Sequence, residues 1–178
     1  MAKFEVQNAY RIVPADREDR QLLGMEWRGA FYVDKVLPFG VRSAPYILTC
    51  IADLVEWVAK QNCDVTFLMH CLDDFHTIGP PGSSVCQHNV DRSIDCFFKL
   101  SIPLHPHKLE GPSTCLTILG IELDFLNLLA RLPQDKFDRI TALLKDWSQK
   151  RWCKRKELES LIGHLQHACK VVPQGRSF

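Results

Sequence analysis

Residues 68–77 read Leu-Met-His-Cys-Leu-Asp-Asp-Phe-His-Thr, a pair of adjacent acids between two apolar runs. This pattern predicts two short strands that pair as a hairpin, with Asp73 and Asp74 in the tight turn between them. Adjacent carboxylates repel each other, so folding alone gives little reason to place two of them at a hairpin tip.

The residue types of the acidic pair allow two interpretations. Asp is common in turns because its side chain bonds to nearby backbone groups, so Asp73 and Asp74 could simply belong to a solvated loop. Alternatively, carboxylate oxygens are the preferred protein ligands of a hard divalent cation such as Mg²⁺. These ten residues leave both interpretations open, and the flanking sequence has to decide between them.

The chain on either side of the hairpin predicts an α+β fold. Strands are predicted over residues 3–6, 21–27, 30–36, 67–69, 75–78, 115–123 and 128–132. Helices are predicted over residues 44–60, 84–100, 134–149 and 154–172, where apolar residues recur at intervals of three and four. Arg28 and Gly29 should form the turn of a hairpin. We expect an antiparallel sheet with helices packed on one face, opposite the acids.

Each predicted helix has one apolar face that should be buried. In the first two helices these faces comprise Ile47, Ile51, Leu54, Val55 and Val58, and Val90, Ile94, Phe97 and Phe98. In the last two they comprise Phe137, Ile140, Leu144 and Trp147, and Leu158, Leu161, Ile162, Leu165 and Cys169. Ser43 is expected to cap the first helix, with Pro45 in its first turn.

The composition is that of an ordinary globular protein: 178 residues, 46% hydrophobic and 24% charged, with a net charge of +1. No apolar run approaches the roughly 20 residues of a membrane span, and the N-terminal residues do not form a secretory signal. The eight cysteines include no C-x-x-C pair, which favours reduced thiols and an intracellular location, cytoplasmic or nuclear.

The only strongly basic stretch is residues 136–156, with eight basic residues against two acidic ones. Such a run is typical of a solvated helix face, and it is also where a nucleic-acid surface would have to lie in a chain with so little net charge.

Five motifs in order make the sequence resemble the palm and early thumb of a reverse transcriptase. Residues 3–10 (KFEVQNAY) resemble the first palm motif, and residues 37–45 (LPFGVRSAP) resemble the loop and helix that hold the template and the nascent base pair. Residues 71–74 (CLDD) resemble the Tyr-x-Asp-Asp box, and Lys108 matches the lysine of the following motif. Residues 119–123 (LGIEL) resemble the hairpin that grips the primer terminus.

Three further phrases are similar to DIRS-type retrotransposons, which encode a tyrosine recombinase. They are residues 108–114 (KLEGPST), 157–165 (ELESLIGHL) and 167–172 (HACKVV). Each motif alone is weak, but together they have the order and spacing of the group. The resemblance covers nearly the whole chain.

The resemblance implies an RNA-directed DNA polymerase that uses two Mg²⁺ ions, for which Mn²⁺ could substitute. The two ions, about 3.5–4 Å apart, would stabilise the attacking and leaving oxygens of an in-line displacement. The metal ligands implied are Glu5, the Val6 carbonyl, Asp73 and, less directly, Asp74. Lys108 is placed near the leaving pyrophosphate. We expect the carboxylates of Glu5 and Asp73 to face each other across neighbouring strands.

The substrate-binding positions implied by the same resemblance are Tyr10, Phe39, Gly40, Arg42, Leu119 and Gly120. Tyr10 takes the position of a steric gate, where its ring would lie under the sugar and exclude a 2′-hydroxyl. By residue type alone, Tyr10 is equally compatible with a core aromatic and Lys108 with a loop lysine. His164 and His167 lack the accompanying spacing of a zinc site, so no metal is expected there.

The resemblance also predicts the domains and partners. Residues 1–132 would be the palm with a remnant of the fingers, and residues 133–178 the start of a helical thumb. The partners would be an RNA or DNA template-primer and a deoxynucleoside triphosphate, with no membrane. Most of the fingers, the RNase H and the recombinase would belong to the rest of a retroelement polyprotein, outside this chain.

Departures from the family pattern predict low activity. Glu5 stands where the family has Asp, which moves the carboxylate by roughly 1.5 Å, and Cys71 replaces the Tyr of the box. With most of the fingers missing, the fragment should have little activity alone. The alternative is a catalytically dead remnant that binds nucleic acid or protein. A basic helical binding module centred on residues 136–156 is a third interpretation, but it would leave the palm motifs unexplained.

Overall fold

The computed structural model describes residues 1–172, which form eight strands and four α-helices. The strands are β1 (Ala2–Glu5), β2 (Gly24–Trp27), β3 (Ala30–Val33), β4 (Met69–Cys71), β5 (Asp74–Thr77), β6 (Cys115–Ile118), β7 (Ile121–Asp124) and β8 (Leu129–Arg131). The helices are α1 (Ala44–Asn62), α2 (Val85–Lys99), α3 (Gln134–Ser148) and α4 (Arg155–Ala168). The predicted α+β class with antiparallel sheets is confirmed.

The chain divides into two compact units, the first spanning Met1–Ser113 and the second Thr114–Phe178. The third sheet therefore groups with the last two helices. The predicted domains, 1–132 and 133–178, are defined by function rather than by compactness, and they stay a prediction. Residues 173–178 of the second predicted domain lie outside the described residues.

An antiparallel sheet in the order β1–β5–β4 lies at the centre of the first unit. Its register places Phe4 opposite Phe75 and Glu5 opposite Asp74. Because successive side chains of a strand point to opposite faces, the two phenylalanines share one face and the two acids share the other. This alternation separates the hydrophobic core from the candidate site.

Helix α2 packs on the phenylalanine face of this sheet. The Phe97 ring lies edge-on to Phe75 and Phe4, with centroid separations of 4.9 Å and 5.5 Å, and is fully buried. Helix α1 adds Leu48 and Val55 to the same cluster. Both helices therefore lie opposite the acids, as predicted.

The predicted helix faces are partly wrong in detail. Leu54 and Phe98 were expected in the core, but they are 59% and 83% exposed. The buried stripe of α1 consists of Ala44, Leu48, Ala52, Val55 and Ala59. Three of these are alanines, whose small side chains allow close approach of a helix to its neighbours, and hydrophobicity alone does not identify such a stripe. The Ser43 side chain makes no capping hydrogen bond.

A buried asparagine links α2 to the strands that flank the acidic turn. The Asn89 carbonyl oxygen accepts hydrogen bonds from the backbone N–H and the hydroxyl of Thr66, both at 3.0 Å. Its amide donates to the Thr77 hydroxyl at 3.0 Å and the Ile78 carbonyl at 3.3 Å. These bonds fix the entry to β4 and the exit from β5 against one helix.

The hairpin of β2 and β3 forms as predicted. Arg28 and Gly29 have φ angles of 53° and 77°, as a two-residue turn with the twist of its strands requires. All eight residues of the two strands are exposed.

In the second unit, β6, β7 and β8 form an antiparallel sheet and α3 and α4 follow. The predicted burial of their apolar faces is largely wrong, since α3 has no buried residue and α4 buries only Ala168. Within residues 1–172, no helix combines the length and the apolar character needed to cross a lipid bilayer.

Candidate active site

The acidic turn is a two-residue hairpin turn. Cys71 pairs with Asp74, so Leu72 and Asp73 are the two turn residues. Leu72 has a φ of 57°, a left-handed conformation that tight hairpin turns require. Asp74 was predicted in the turn but is instead the first residue of β5, because the turn needs only two residues.

Strand β1 brings Glu5 to this turn. Glu5 lies directly opposite Asp74 in the ladder, and the next residue, Val6, donates its backbone N–H to the Asp73 carbonyl at 2.9 Å. Side chains directly opposite in an antiparallel pair lie on the same face, about 5 Å apart at Cβ. The cross-strand partner of Glu5 is therefore Asp74, whereas Asp73 was expected, and Asp73 follows at the adjoining turn position.

The charges of the other two carboxylates act on Asp74. The pKa of Asp74 is raised, first by burial and then by the negative charges of Asp73 and Glu5. Lys108 and Lys3 act in the opposite direction on the same carboxyl group. An arrangement that makes a carboxylate harder to ionise costs stability, which is typical of functional sites.

Lys108 is bound to Glu5. Its ammonium group donates to both carboxylate oxygens of Glu5, at 2.6 Å and 2.5 Å. The loop that carries the lysine is itself anchored, since the His105 N–H donates to the Glu5 carbonyl at 2.8 Å and the Lys108 N–H to the His105 carbonyl at 3.2 Å. The pKa of Lys108 is raised, mainly by its hydrogen bond to Glu5.

The donors suit a divalent cation by chemical type, since carboxylate and carbonyl oxygens are the ligands that Mg²⁺ prefers. Val6, whose carbonyl is the other predicted ligand, lies next to the turn, since its N–H donates to the Asp73 carbonyl. However, no group of three His, Cys, Asp or Glu side chains in residues 1–172 is arranged to hold a metal ion. Both oxygens of Glu5 are engaged by Lys108, so Glu5 has to release the lysine before it can act as a ligand.

Two of the predicted substrate-binding residues form an aromatic pair. The Tyr10 ring packs on the Phe39 ring with a centroid separation of 4.7 Å, and Tyr10 also contacts the hydrophobic core. Phe39 is 72% exposed. Gly40 has a φ of 92°, which favours glycine, and Arg42 is exposed. The structure thus brings the Tyr10 and Phe39 rings together, and Arg42 follows on the same loop as an exposed cation.

The remaining predicted substrate-binding residues, Leu119 and Gly120, form the turn between β6 and β7 in the second unit. Their φ angles of 48° and 74° are those of a tight hairpin turn. The Lys136 ammonium group donates to the Gly120 carbonyl at 3.3 Å, and the His167 ring lies 3.2 Å from the Leu119 carbonyl. Helices α3 and α4 therefore both hold this turn.

Lys3 belongs to the electrostatics of the site, although the motifs did not single it out. It lies two residues before Glu5 and hence on the same face of β1. Its charge opposes the rise in the pKa of Asp74, and the pKa of His76 is lowered by burial first and then by the charges of Lys3 and His70. It also forms an ion pair with Glu110 at 3.0 Å. The sequence signal that could have identified Lys3 is the alternation of side chains along β1, which places Lys3 and Glu5 on the same face.

Neither a known protein-family model nor a curated protein matches this sequence. Solved structures do match. One is the foamy viral protease-reverse transcriptase dRH in complex with double-stranded DNA, with 18% identity, a TM-score of 0.71, and coverage of 94% of this chain and 27% of that chain. Another is the foamy viral protease-reverse transcriptase in complex with an RNA/DNA hybrid, with 17% identity, a TM-score of 0.69, and coverage of 99% and 23%.

A third structure, the foamy viral enzyme with double-stranded DNA, has 18% identity and a TM-score of 0.70, and the match covers 94% of this chain and 32% of that chain. This chain therefore spans about a quarter to a third of the structures it matches. The likeness shows a reverse-transcriptase-like fold.

Proposed function

We propose that this chain is the palm and early thumb of a reverse transcriptase from a DIRS-type retrotransposon, and that it serves template-directed DNA synthesis. The observation that supports this most directly is the meeting of Glu5, Asp73 and Asp74 at one end of the β1–β5 pair. Mutual repulsion makes three such carboxylates unfavourable for folding, so a role in binding cations is the better explanation. The reverse-transcriptase-like fold supports the same proposal.

In the proposed reaction, a primer 3′-oxygen attacks the α-phosphate of a deoxynucleoside triphosphate. Two Mg²⁺ ions, or Mn²⁺ in their place, would supply charge stabilisation of the attacking and leaving oxygens when held by Glu5, Val6, Asp73 and Asp74. The Lys108 ammonium group would neutralise the leaving pyrophosphate or donate a proton to it.

The other residues would bind and select substrates. The Tyr10 ring, supported by Phe39, would restrict the space beside the sugar and disfavour a 2′-hydroxyl. Gly40 would let the backbone approach a nucleotide, and Arg42 would pair with a phosphate. Leu119 and Gly120 are proposed to contact the primer.

Primer extension on an RNA template tests the proposal. We expect little or no extension by the 178-residue chain for two reasons. The triphosphate clamp belongs to the fingers, which a related element would have to supply. A misplacement of ~1 Å of the Glu5 carboxylate can also cost about 100-fold in rate. Fusion to the fingers of a related element should produce extension, and Glu5→Asp should increase it. Asp73→Asn should abolish it, whereas the control Asp95→Asn, on the exposed side of α2, should not.

The second candidate function is that of a catalytically dead remnant that binds nucleic acid. The ion pair that occupies both oxygens of Glu5 favours it. A fused protein that binds template-primer but gives no extension with Mg²⁺ or Mn²⁺ would contradict the polymerase and support this candidate. Binding through residues 136–156 should weaken steeply with salt, because phosphate contacts release counterions.

A further inference from the structure

The contact between Lys108 and Glu5 is built from two distant parts of the chain. The residues are 103 positions apart in sequence, yet the lysine donates to both oxygens of one carboxylate. The anchoring of the loop to the Glu5 carbonyl through His105 holds the lysine over the end of β1. The Glu5 side chain is 21% exposed and the Lys108 side chain 49% exposed, so the carboxylate is the better shielded partner.

The charges at this end of the sheet need a counterion. Three acids lie at this end of the sheet, and the charges of Asp73 and Glu5 both act on Asp74. A divalent cation would offset that repulsion, and the positive charges of Lys108 and Lys3 offset part of it, with Lys108 in direct contact with Glu5. A metal ion and the Lys108 ammonium group exclude each other at Glu5, because two cations that contact the same two oxygens would repel each other strongly.

The length of the Glu5 side chain supports this exclusion. Glutamate has one methylene more than aspartate, which extends the reach of the carboxylate by roughly 1.5 Å. The carboxylate at the end of that arm contacts Lys108 through both of its oxygens. The side chain at position 5 is thus long enough to reach the lysine at the end of β1.

We propose that Lys108 is an internal counterion that occupies Glu5 in the absence of a divalent metal ion and competes directly with that ion for the site. Loading of Mg²⁺ or Mn²⁺ requires the Lys108–Glu5 pair to open, and metal affinity is lowered by the strength of that pair. The released Lys108 ammonium group can then form an ion pair with a phosphate. This inference rests on the metal ligands assigned in the proposed function.

Binding of Mn²⁺ to the whole 178-residue chain, measured by electron paramagnetic resonance of the free ion, tests this competition. Lys108→Gln should bind Mn²⁺ roughly 10- to 30-fold more tightly than the unmodified chain, because one positive charge about 4 Å from a divalent ion is removed. Lys108→Arg keeps the charge and the two-oxygen contact and should behave like the unmodified chain. Lys60→Gln is a matched control, since Lys60 forms an equally short pair with Glu56, at 2.6 Å, on α1.

A second measurement uses the thermal midpoint of unfolding. Mg²⁺ should raise the midpoint of Lys108→Gln and leave that of the unmodified chain nearly unchanged, and Asp73→Asn added to Lys108→Gln should remove the response. Equal Mn²⁺ affinity of Lys108→Gln and the unmodified chain would overturn the proposal, and so would equal behaviour of the Gln and Arg variants. The proposed function fails separately, in the primer-extension assay, because a chain can show this competition and still not extend a primer.

Discussion

The two units of the molecule have similar apolar patterns and very different cores. Every fully buried large hydrophobic side chain among the described residues lies in the first unit, around Phe4, Phe75 and Phe97. In the second unit, α3 and α4 have apolar stripes of comparable regularity, but two of the four stripe residues of α3 and two of the five predicted for α4 are exposed. An amphipathic stripe predicts that a helix has an apolar face to bury. Whether that face is buried depends on a packing partner with enough apolar surface.

The difference follows from what each helix packs on. In the first unit, α1 and α2 cover a sheet face made of aromatic rings. In the second, the stripes of α3 and α4 border an open groove of about 880 Å³ whose lining includes Phe137, Ile140, Leu144, Ile162 and Leu165. A small sheet with two short helices has too little surface to close over such stripes.

The largest expected effect is the loss of an aromatic core residue of the first unit. Phe97→Ala should lower the free energy of unfolding by about 3–5 kcal/mol, because it leaves a cavity between the rings of Phe4 and Phe75. The matched change in the second unit, Phe137→Ala, should cost under about 1 kcal/mol, because that ring is already 53% exposed. Urea unfolding of both variants measures the two values.

Equal losses in the free energy of unfolding would show that Phe137 lies in a core as well packed as that around Phe97. A large cost for Phe137→Ala alone would reverse the comparison altogether.

The same contrast shows how far the sequence could predict the fold. Phe97 was correctly placed in the core, but its neighbour Phe98 was not excluded from it, because periodicity defines a stripe only to within about one residue. The Arg28-Gly29 hairpin was predictable because few residue pairs suit that turn. The open stripes of α3 and α4 were not predictable, since the available partner area is a property of the folded chain.

The site shows the same limit. Glu5, Asp73 and Asp74 were identified by their motifs, and the ladder brings the strands that carry them together. The engagement of Glu5 by Lys108 was not predictable, because it depends on a loop 103 residues away and on the side-chain conformations of two flexible residues. Motifs predict which residues meet, but the pairing among three acids and one lysine is decided by the fold.

The second expected effect concerns buried hydrogen bonds. Asn89→Ala should destabilise the first unit by about 2–3 kcal/mol, since it removes a fully buried carboxamide that bonds to the buried Thr77 hydroxyl and to Thr66. Asn127→Ala in the second unit also removes a carboxamide bond, to Asp124 at 2.8 Å, but Asn127 is exposed and water can replace it, so we expect about 0.5–1 kcal/mol. Urea unfolding again measures both. A smaller cost at Asn89 than at Asn127 would contradict the idea that polar burial, like apolar burial, is concentrated in the first unit.

The smallest expected effect is a difference in the sign of the pH dependence between the two units. The pKa of Asp74 is raised from 3.8 by burial and by Asp73 and Glu5, whereas that of Asp124 is lowered from 3.8, chiefly by hydrogen bonds from Asn127. A raised carboxyl pKa means that the folded state binds the proton more tightly, so stability falls as the pH rises from 3.8 through the folded pKa. A lowered pKa means the opposite: the stabilising contribution of Asp124 is complete above pH 3.8 and is lost as the pH falls through its folded pKa.

At neutral pH and with a chelator present, Asp74→Asn should therefore raise the thermal midpoint of unfolding and Asp124→Asn should lower it. As the pH falls towards 3.8, the gain from Asp74→Asn should shrink, while the loss from Asp124→Asn should persist until the pH is below that value. If Asp74→Asn lowers the midpoint at neutral pH, the ionised Asp74 carboxylate does not destabilise the folded state in the way that its raised pKa requires.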